Sequence, residues 1–311
     1  MNLVITGGAG FIGANLASWL SSSGEVDRLA VVDDLSTGSR QNLDGLEGVE
    51  LFEGSILDAA LLDRAFAGAG AVVHLAARPS VPRSVAEPLA SHAVNATGTA
   101  EVLQAVRRAG NPHLVVASSS SVYGANPTLP KHEELAPRPM SPYAASKLAT
   151  ESYSLAWASV YSLDVLAFRF FNVFGPLQPP HHAYAAVVPA FVAALSEGRP
   201  LPVHGDGRQT RDFTYVGTVC AVIAEALRRR VTSPTPVNLA FGSRVSLLEV
   251  IAELEGVVGR RLEVEHQAPR PGDVRDSQAD TTRLRQLFPD VKPVGLTEGL
   301  AATVEWFRRR S

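Results

Sequence analysis

The stretch LVITGGAGFIGANL, residues 3–16, decides the fold. A short β-branched run stops at Gly7. Gly10 and Gly13 follow, and the chain then becomes helix-forming. Strand, tight glycine turn and helix N-terminus in that order make a cradle for a pyrophosphate. The glycines let the backbone close in, and the first helical amides point at negative charge. The turn comprises Gly7, Gly10, Phe11, Ile12 and Gly13. Next comes VVDDLS, residues 31–36, which puts Asp33 at a strand end 20 residues after Gly13. An acid there accepts ribose hydroxyls, and Asp33 beside Asp34 repels a 2′-phosphate, so the pattern favours NAD over NADP.

Working outward, apolar runs alternate with Ala/Leu-rich segments, as in βαβ units of a parallel sheet covered on both faces. The pattern predicts strands near 2–6, 28–32, 49–53, 71–75, 113–117 and 164–169. It predicts long helices near 11–22, 85–109 and 142–161, and later ones near 185–197, 216–230, 246–258 and 296–309. After Asn172 the loops become rich in Pro, Gly and His (GPLQPPHH, GRPLPVHGDGRQTRD, QAPRPGDVRDS). The expected fold is α/β: a Rossmann-type doubly wound parallel sheet with a smaller C-terminal substrate-binding domain. The expected division is residues 1–172 and 173–311, with segments near 213–245 returning to the first.

The 311 residues are 46% hydrophobic, enough for a real core. A net charge of −3 and the lack of a long basic run argue against nucleic acid as a partner. Cys220 is the single cysteine, so neither an internal disulfide nor a cysteine-based zinc site is open. In VCAVIAEAL it reads as a small buried apolar residue. No apolar run is long enough to span a membrane, and no leader is expected before the first strand. The expected location is cytoplasmic, no metal is expected, and no membrane partner is expected. All but three of the 28 basic residues are arginine; the lysines are Lys131, Lys147 and Lys292.

One of those lysines falls in SPYAASK, where Tyr143 and Lys147 stand four apart. On a helix they share a face. The expected fifth strand ends in VVASSSSVYG, which brings serines to the cofactor crevice. Serine, tyrosine and lysine together suit redox chemistry between a hydroxyl and a carbonyl. A phenol titrates near 10, so accepting a proton at neutral pH requires a fall of about 3, roughly 4 kcal/mol. Lys147 and a positively charged nicotinamide are the expected sources.

GGAGFIG, HLAA, NATGT, SSSSVYG, YxxxK, RFFNVFGP, RDFTYV and RPGDVRDSQAD occur in one order along the chain. In this the chain resembles the extended short-chain dehydrogenases/reductases, in the nucleotide-sugar epimerase/dehydratase group. Its pattern is most similar to UDP-hexose 4-epimerases, especially those acting on UDP-N-acetylhexosamines. The resemblance implies a bound NAD and a UDP-sugar substrate. Tyr143 would deprotonate the 4-hydroxyl, and hydride would pass from C4 to NAD. The 4-keto sugar would turn, and hydride would return with C4 inverted. Ser119 would bind the 4-oxygen. Around NAD the resemblance adds Ser36, Gly38, Ser55 and Ile56, then Leu75, Ala76 and Ala77, and also Asn95, Tyr143, Lys147 and Phe171. On the substrate side it implies Ser80, Ser119, Ser120, Asn172 and Val187, then His204, Gln209 and Arg211, with Arg270, Asp273 and Ser277. Two arginines suit a diphosphate, whose oxygens guanidinium binds in pairs. The second domain would then hold the nucleotide sugar.

Within the group, resembling 4,6-dehydratases carry Asp and Glu immediately after the serine, and decarboxylases usually keep a Glu. Here Ser120 and Ser121 stand there, and neither does carboxylate acid–base work. Simple epimerisation fits best, with dehydratase or decarboxylase as rivals and a non-catalytic NAD-binding regulator as a different class. Ser277 stands where glucose-restricted epimerases carry a bulky Tyr, which leaves room for a 2-acetamido group. Ser55 departs from a family Asp near adenine, and Asp58 is no clear replacement. Pro79 and His182 also depart, leaving UDP-glucuronate open; His181 and His182 read as loop residues. Helices 85–109 and 142–161 resemble the pair through which the family forms homodimers.

Overall fold

The computed structural model describes residues 1–179, 186–268 and 275–309. In the first half, β1 (Asn2–Thr6), β2 (Arg28–Asp33), β3 (Val49–Glu53), β4 (Ala71–His74), β5 (His113–Ser119) and β6 (Val165–Phe170) fall where the apolar runs predict. They form a seven-stranded sheet with one later strand, ordered β3-β2-β1-β4-β5-β6 and then Val237–Leu239. The pairs from β3 through to β6 are all parallel. This is the Rossmann order. It reverses between β1 and β4, which opens a crevice at their C-terminal ends.

The helices of this half are α1 (Phe11–Ser21), α2 (Ala59–Phe66), α3 (Val81–Ala86), α4 (Pro88–His92), α5 (Gly98–Arg108) and α6 (Pro142–Tyr161). The single helix expected over 85–109 is a correction. Glu87 leaves helical geometry at φ −132°, ψ 66°, as the residue before Pro88 is pressed to do. A π-turn over Ala93–Thr97 then separates α4 from α5. The pattern also missed α2, a helix of only eight residues. Its N-cap is Asp58, which accepts from the amides of Ala60 and Leu61.

The second half adds β7 (Asn172–Phe174), α7 (Val187–Ser196), β8 (Leu201–His204), β9 (Thr210–Arg211), β10 (Phe213–Tyr215) and α8 (Val216–Arg229). It continues with β11 (Val237–Leu239), β12 (Val245–Ser246), α9 (Leu247–Val258), β13 (Val264–Gln267), α10 (Thr282–Leu287) and α11 (Leu296–Arg308). The short strands pair as β7–β10, β8–β13 and β9–β12, each too brief to show a period in sequence.

The chain forms two compact units. Unit 1 comprises Met1–Asn126, Ala136–Phe170 and Cys220–Val237; unit 2 comprises Pro127–Leu135, Phe171–Val219 and Asn238–Ser311. In unit 1, strand residues such as Val4, Val72 and Val116 pack with Leu62 and Phe66 of α2 and Val102 and Val106 of α5. In unit 2, Phe174 and Phe213 pack with Phe191 of α7, Val250 of α9 and Val304 of α11. Cys220 is buried, and burial pushes its thiol up to about 12, so it is an inert packing residue. Among the described residues no helix is long and apolar enough to cross a membrane.

Candidate active site

In unit 1 the glycine turn joins β1 to α1. A Cβ on Gly13 would lie 2.2 Å from the Gly7 carbonyl oxygen, and one on Gly7 would lie 2.6 Å from the Ala76 amide nitrogen. A Cβ on Gly10 would meet only the Gly7 oxygen, at 3.3 Å. The turn is therefore closed to side chains from within yet clear above the helix start. No side chain caps α1 at Gly10, so its N-terminal amides suit an anion. Asp33 closes this cradle. Its Oδ2 accepts from the Ala9 amide and its Oδ1 from the Leu35 amide, both at 2.9 Å. Burial holds its carboxyl above the usual range, and these bonds oppose that. These residues fit a dinucleotide.

Around the cradle, Gly38 passes so close to Ala9 that a Cβ would meet its carbonyl at 2.7 Å. Ser36 is exposed and bonded to Asp34. Asn42, which sequence reasoning missed, donates to the Ala9 oxygen at 2.9 Å. Leu75, Ala76 and Ala77 follow the end of β4, as expected of crevice residues. Ser55 accepts from the Leu57 amide, and Ile56 is buried with its side chain against Gly98.

The catalytic candidates come together. Ser119 ends β5, and Tyr143 and Lys147 lie one turn apart near the start of α6. The Ser119 hydroxyl neighbours the Tyr143 phenol and pulls its titration down. The Tyr143 backbone amide donates to Ser84 Oγ at 2.9 Å, which fixes the first turn of α6. Burial pushes the Tyr143 phenol above its ordinary value, and the Ser119 bond opposes that. The expected lowering by Lys147 is thus not met by the chain alone, because burial disfavours the charged phenolate more than its surroundings stabilise it. Burial also brings Lys147 down to about 8, against an opposing pull from Glu151.

Two buried groups behind these residues escaped sequence reasoning. The first is His74, at the end of β4. Burial and then the Lys147 charge bring it down to about 3, so it is neutral. Thr99 donates its hydroxyl proton to the Asn95 carbonyl at 2.6 Å, so it must accept from His74 Nε2 at 3.0 Å. The other ring nitrogen, Nδ1, then accepts from Thr6 at 2.7 Å. A histidine inside the otherwise apolar AVVHLA was the available signal. Asn95 itself sits in the π-turn. Its side chain accepts from the Arg78 amide at 2.7 Å and donates to Ser146 at 2.9 Å. Ser80 caps α3 at an unusual φ of +93°. The second group is Glu151, which pairs with Arg169 and accepts from Ser118.

In unit 2 a cavity of about 200 Å³ is lined by Asn172, Val187, His204, Gln209 and Arg211. Five residues read from sequence as substrate-binding thus share one concavity. Phe174, Gln178, Phe213 and Leu247 also line it and were missed. Gln178 Oε1 is buried without a chain partner among the described residues. The Arg211 guanidinium is steered by the Thr210 and Arg275 carbonyls at 2.9 and 3.1 Å. Phe171 is buried at the start of a unit 2 segment, and Ser277 donates its amide to the Thr210 carbonyl at 3.1 Å. Arg270, Asp273, His181 and His182 lie outside the described residues. Among the described residues no three His, Cys, Asp or Glu gather as a metal site.

The model of the NAD-dependent epimerase/dehydratase family matches residues 3–240. The chain belongs to that family. It is 38% identical to a UDP-glucose 4-epimerase of Mycolicibacterium smegmatis over 318 residues, covering 100% of both. It superposes on a UDP-N-acetylglucosamine 4-epimerase of Methanobrevibacter ruminantium with TM-score 0.93 and 34% identity, covering 100% of this chain and 99% of that one. A dTDP-glucose 4,6-dehydratase of Streptomyces venezuelae, solved with NAD bound, gives TM-score 0.90 at 32% identity, covering 99% and 97%. Family members thus include both epimerases and dehydratases, and the family is NAD-dependent.

Asp212, beside Arg211, is a buried carboxylate of unit 2. It accepts from the Gly242 and Ala279 amides and from Ser243 Oγ, at 3.0, 3.0 and 2.9 Å. Burial nevertheless pushes it up to about 6 from an ordinary 3.8. A carboxyl raised on folding contributes stability below about pH 4 and loses it as pH rises through about 6. Relative to Asp212→Asn, the wild type is expected to lose up to about 3 kcal/mol between pH 4 and pH 7. Urea unfolding of both proteins across that range checks this; a difference that stays flat with pH contradicts it.

Proposed function

We propose that this chain is an NAD-dependent UDP-sugar 4-epimerase, acting on UDP-glucose/UDP-galactose, UDP-GlcNAc/UDP-GalNAc, or both. One observation carries the reading. Ser119 neighbours Tyr143, which stands one turn from Lys147, and the two residues after Ser119 are serines where resembling dehydratases carry acids. Such a site can move a proton on and off a sugar hydroxyl but has no carboxylate there to expel water.

Bound NAD supplies the hydride acceptor and donor, and a positive ring. Tyr143 takes the C4 hydroxyl proton and later returns it. The Lys147 ammonium favours the phenolate by charge. Ser119 donates to the C4 oxygen. The glycine turn holds the pyrophosphate, and Asp33 holds ribose hydroxyls. We assign the nucleotide to the unit 2 cavity. Arg211 suits a diphosphate, and the unpartnered Gln178 oxygen suits a base N–H. Val85, Leu89, Tyr153 and Val160 on α3, α4 and α6 are large, apolar and exposed, which supports a homodimer.

A panel of UDP-sugars, followed by NMR without added reductant, tests the assignment: a C4 isomer of unchanged mass supports it, and loss of water or carbon dioxide overturns it. Tyr143→Phe is expected to lower turnover by about 10²- to 10⁴-fold while NAD binding persists; undiminished turnover contradicts the proton role. Ser277→Tyr is expected to depress acetamido-sugar turnover more than glucose turnover, and equal losses discard the size argument. Sedimentation equilibrium is expected to give twice the chain mass, whereas a monomer refutes the dimer.

A further inference from the structure

The four serines 118–121 have different jobs. Ser118 turns inward and donates to Glu151 at 2.8 Å. Ser119 caps the 3-10 turn Ser120–Tyr123. In doing so its hydroxyl oxygen accepts twice from one residue: the Ser121 amide at 3.2 Å and the Ser121 hydroxyl at 2.9 Å. A hydroxyl oxygen has two acceptor positions and one proton. With both positions filled by Ser121, the proton of Ser119 has to go outward, and Tyr143 is the phenol whose titration its hydroxyl lowers.

We propose that Ser121 is a positioning residue that fixes Ser119 as a one-way hydrogen-bond donor, toward the Tyr143 phenol while the site is empty of sugar and, on the reading above, toward the reacting sugar oxygen once it is bound. Two consequences follow from the polarity. Ser119 has no free acceptor position for the proton leaving the sugar, so Tyr143 alone moves it. A fixed donor also serves the sugar oxygen equally well as hydroxyl or as ketone, since both accept. A reaction that runs through the ketone in both directions needs that constancy. The Ser121 hydroxyl also polarises Ser119 and strengthens its donation, as successive bonds in a chain do.

The test uses the full chain loaded with NAD and carrying ¹³Cζ-labelled tyrosine, with Tyr143→Phe to assign the resonance. The charged and titratable neighbours on the packed elements are Lys147 and Glu151 on α6, His74 at the end of β4, Tyr123 in the 3-10 turn and Arg169 on β6. None is altered in the variants. Ser121→Ala is expected to raise the Tyr143 titration midpoint by about half a pH unit or more. It is also expected to lower kcat by about 3- to 10-fold, with KM within about twofold. Ser121→Thr, which keeps the hydroxyl, is expected to restore the midpoint. A purely structural role would lower the melting temperature and leave the midpoint where it was; an unmoved midpoint in Ser121→Ala overturns the proposal. If the midpoint moves but no UDP-hexose is turned over by the wild type, the positioning role stands and the epimerase reading fails.

Discussion

A buried ion pair fastens α6 to the sheet, and the placement of the reactive side chains follows from it. Glu151 and Arg169 are 5% and 3% exposed. They meet through bonds of 2.6 and 2.9 Å, and Ser118 adds a third at 2.8 Å. The Tyr123 ring lies 4.6 Å from the guanidinium. Removing one partner of such a pair strands a buried charge, at a cost of about 3–5 kcal/mol. The helix therefore has little freedom to slide or rotate. Lys147 and Tyr143 stand one and two turns before Glu151 on the same face. Ser84 holds the helix start through the Tyr143 amide. The functional face is pinned at both ends.

The polar groups buried behind that face are nearly all committed to one another, which makes the site stiff. His74 is neutral and spans from Thr6 to Thr99, and Asn95 ties the loop at Arg78 to Ser146 on α6. Unit 2 uses the same device. Asp212 gathers Gly242, Ser243 and Ala279, while its carbonyl accepts from the Asn172 amide. In each case one short polar side chain orders loops that have no ladder of their own. Gln178 differs: among the described residues its buried oxygen has no partner, and the residue lines the unit 2 cavity.

What the sequence made legible was local. The glycine turn and Asp33 were readable because only glycine fits those contacts and because β1, α1 and β2 follow in succession. Tyr143 and Lys147 were readable because helical spacing puts i and i+4 together. Five of the first six strands stood out because buried parallel strands are almost continuously apolar, whereas the edge strand β3, VELFE, is only part-buried. Glu87 and Pro88 broke a helix that Ala-rich composition suggested. Asp212 gave no local sign of burial, since its partners lie some 30 and 67 residues away. The direction of the Ser119 proton depends on how Ser121 folds back upon it, and no spacing rule contains that. The upward push on Tyr143 likewise comes from burial, which the YxxxK pattern does not report.

The central claim is that a proton leaves and returns through Tyr143 while the sugar's own C4 hydrogen is carried away and brought back. Running the reaction in D₂O and examining the product by NMR tests this most directly. The account predicts a C4 epimer with no deuterium on any sugar carbon, because the hydrogen returns without meeting solvent and C5 is never deprotonated. Deuterium at C5, or a product short of one water, would contradict it.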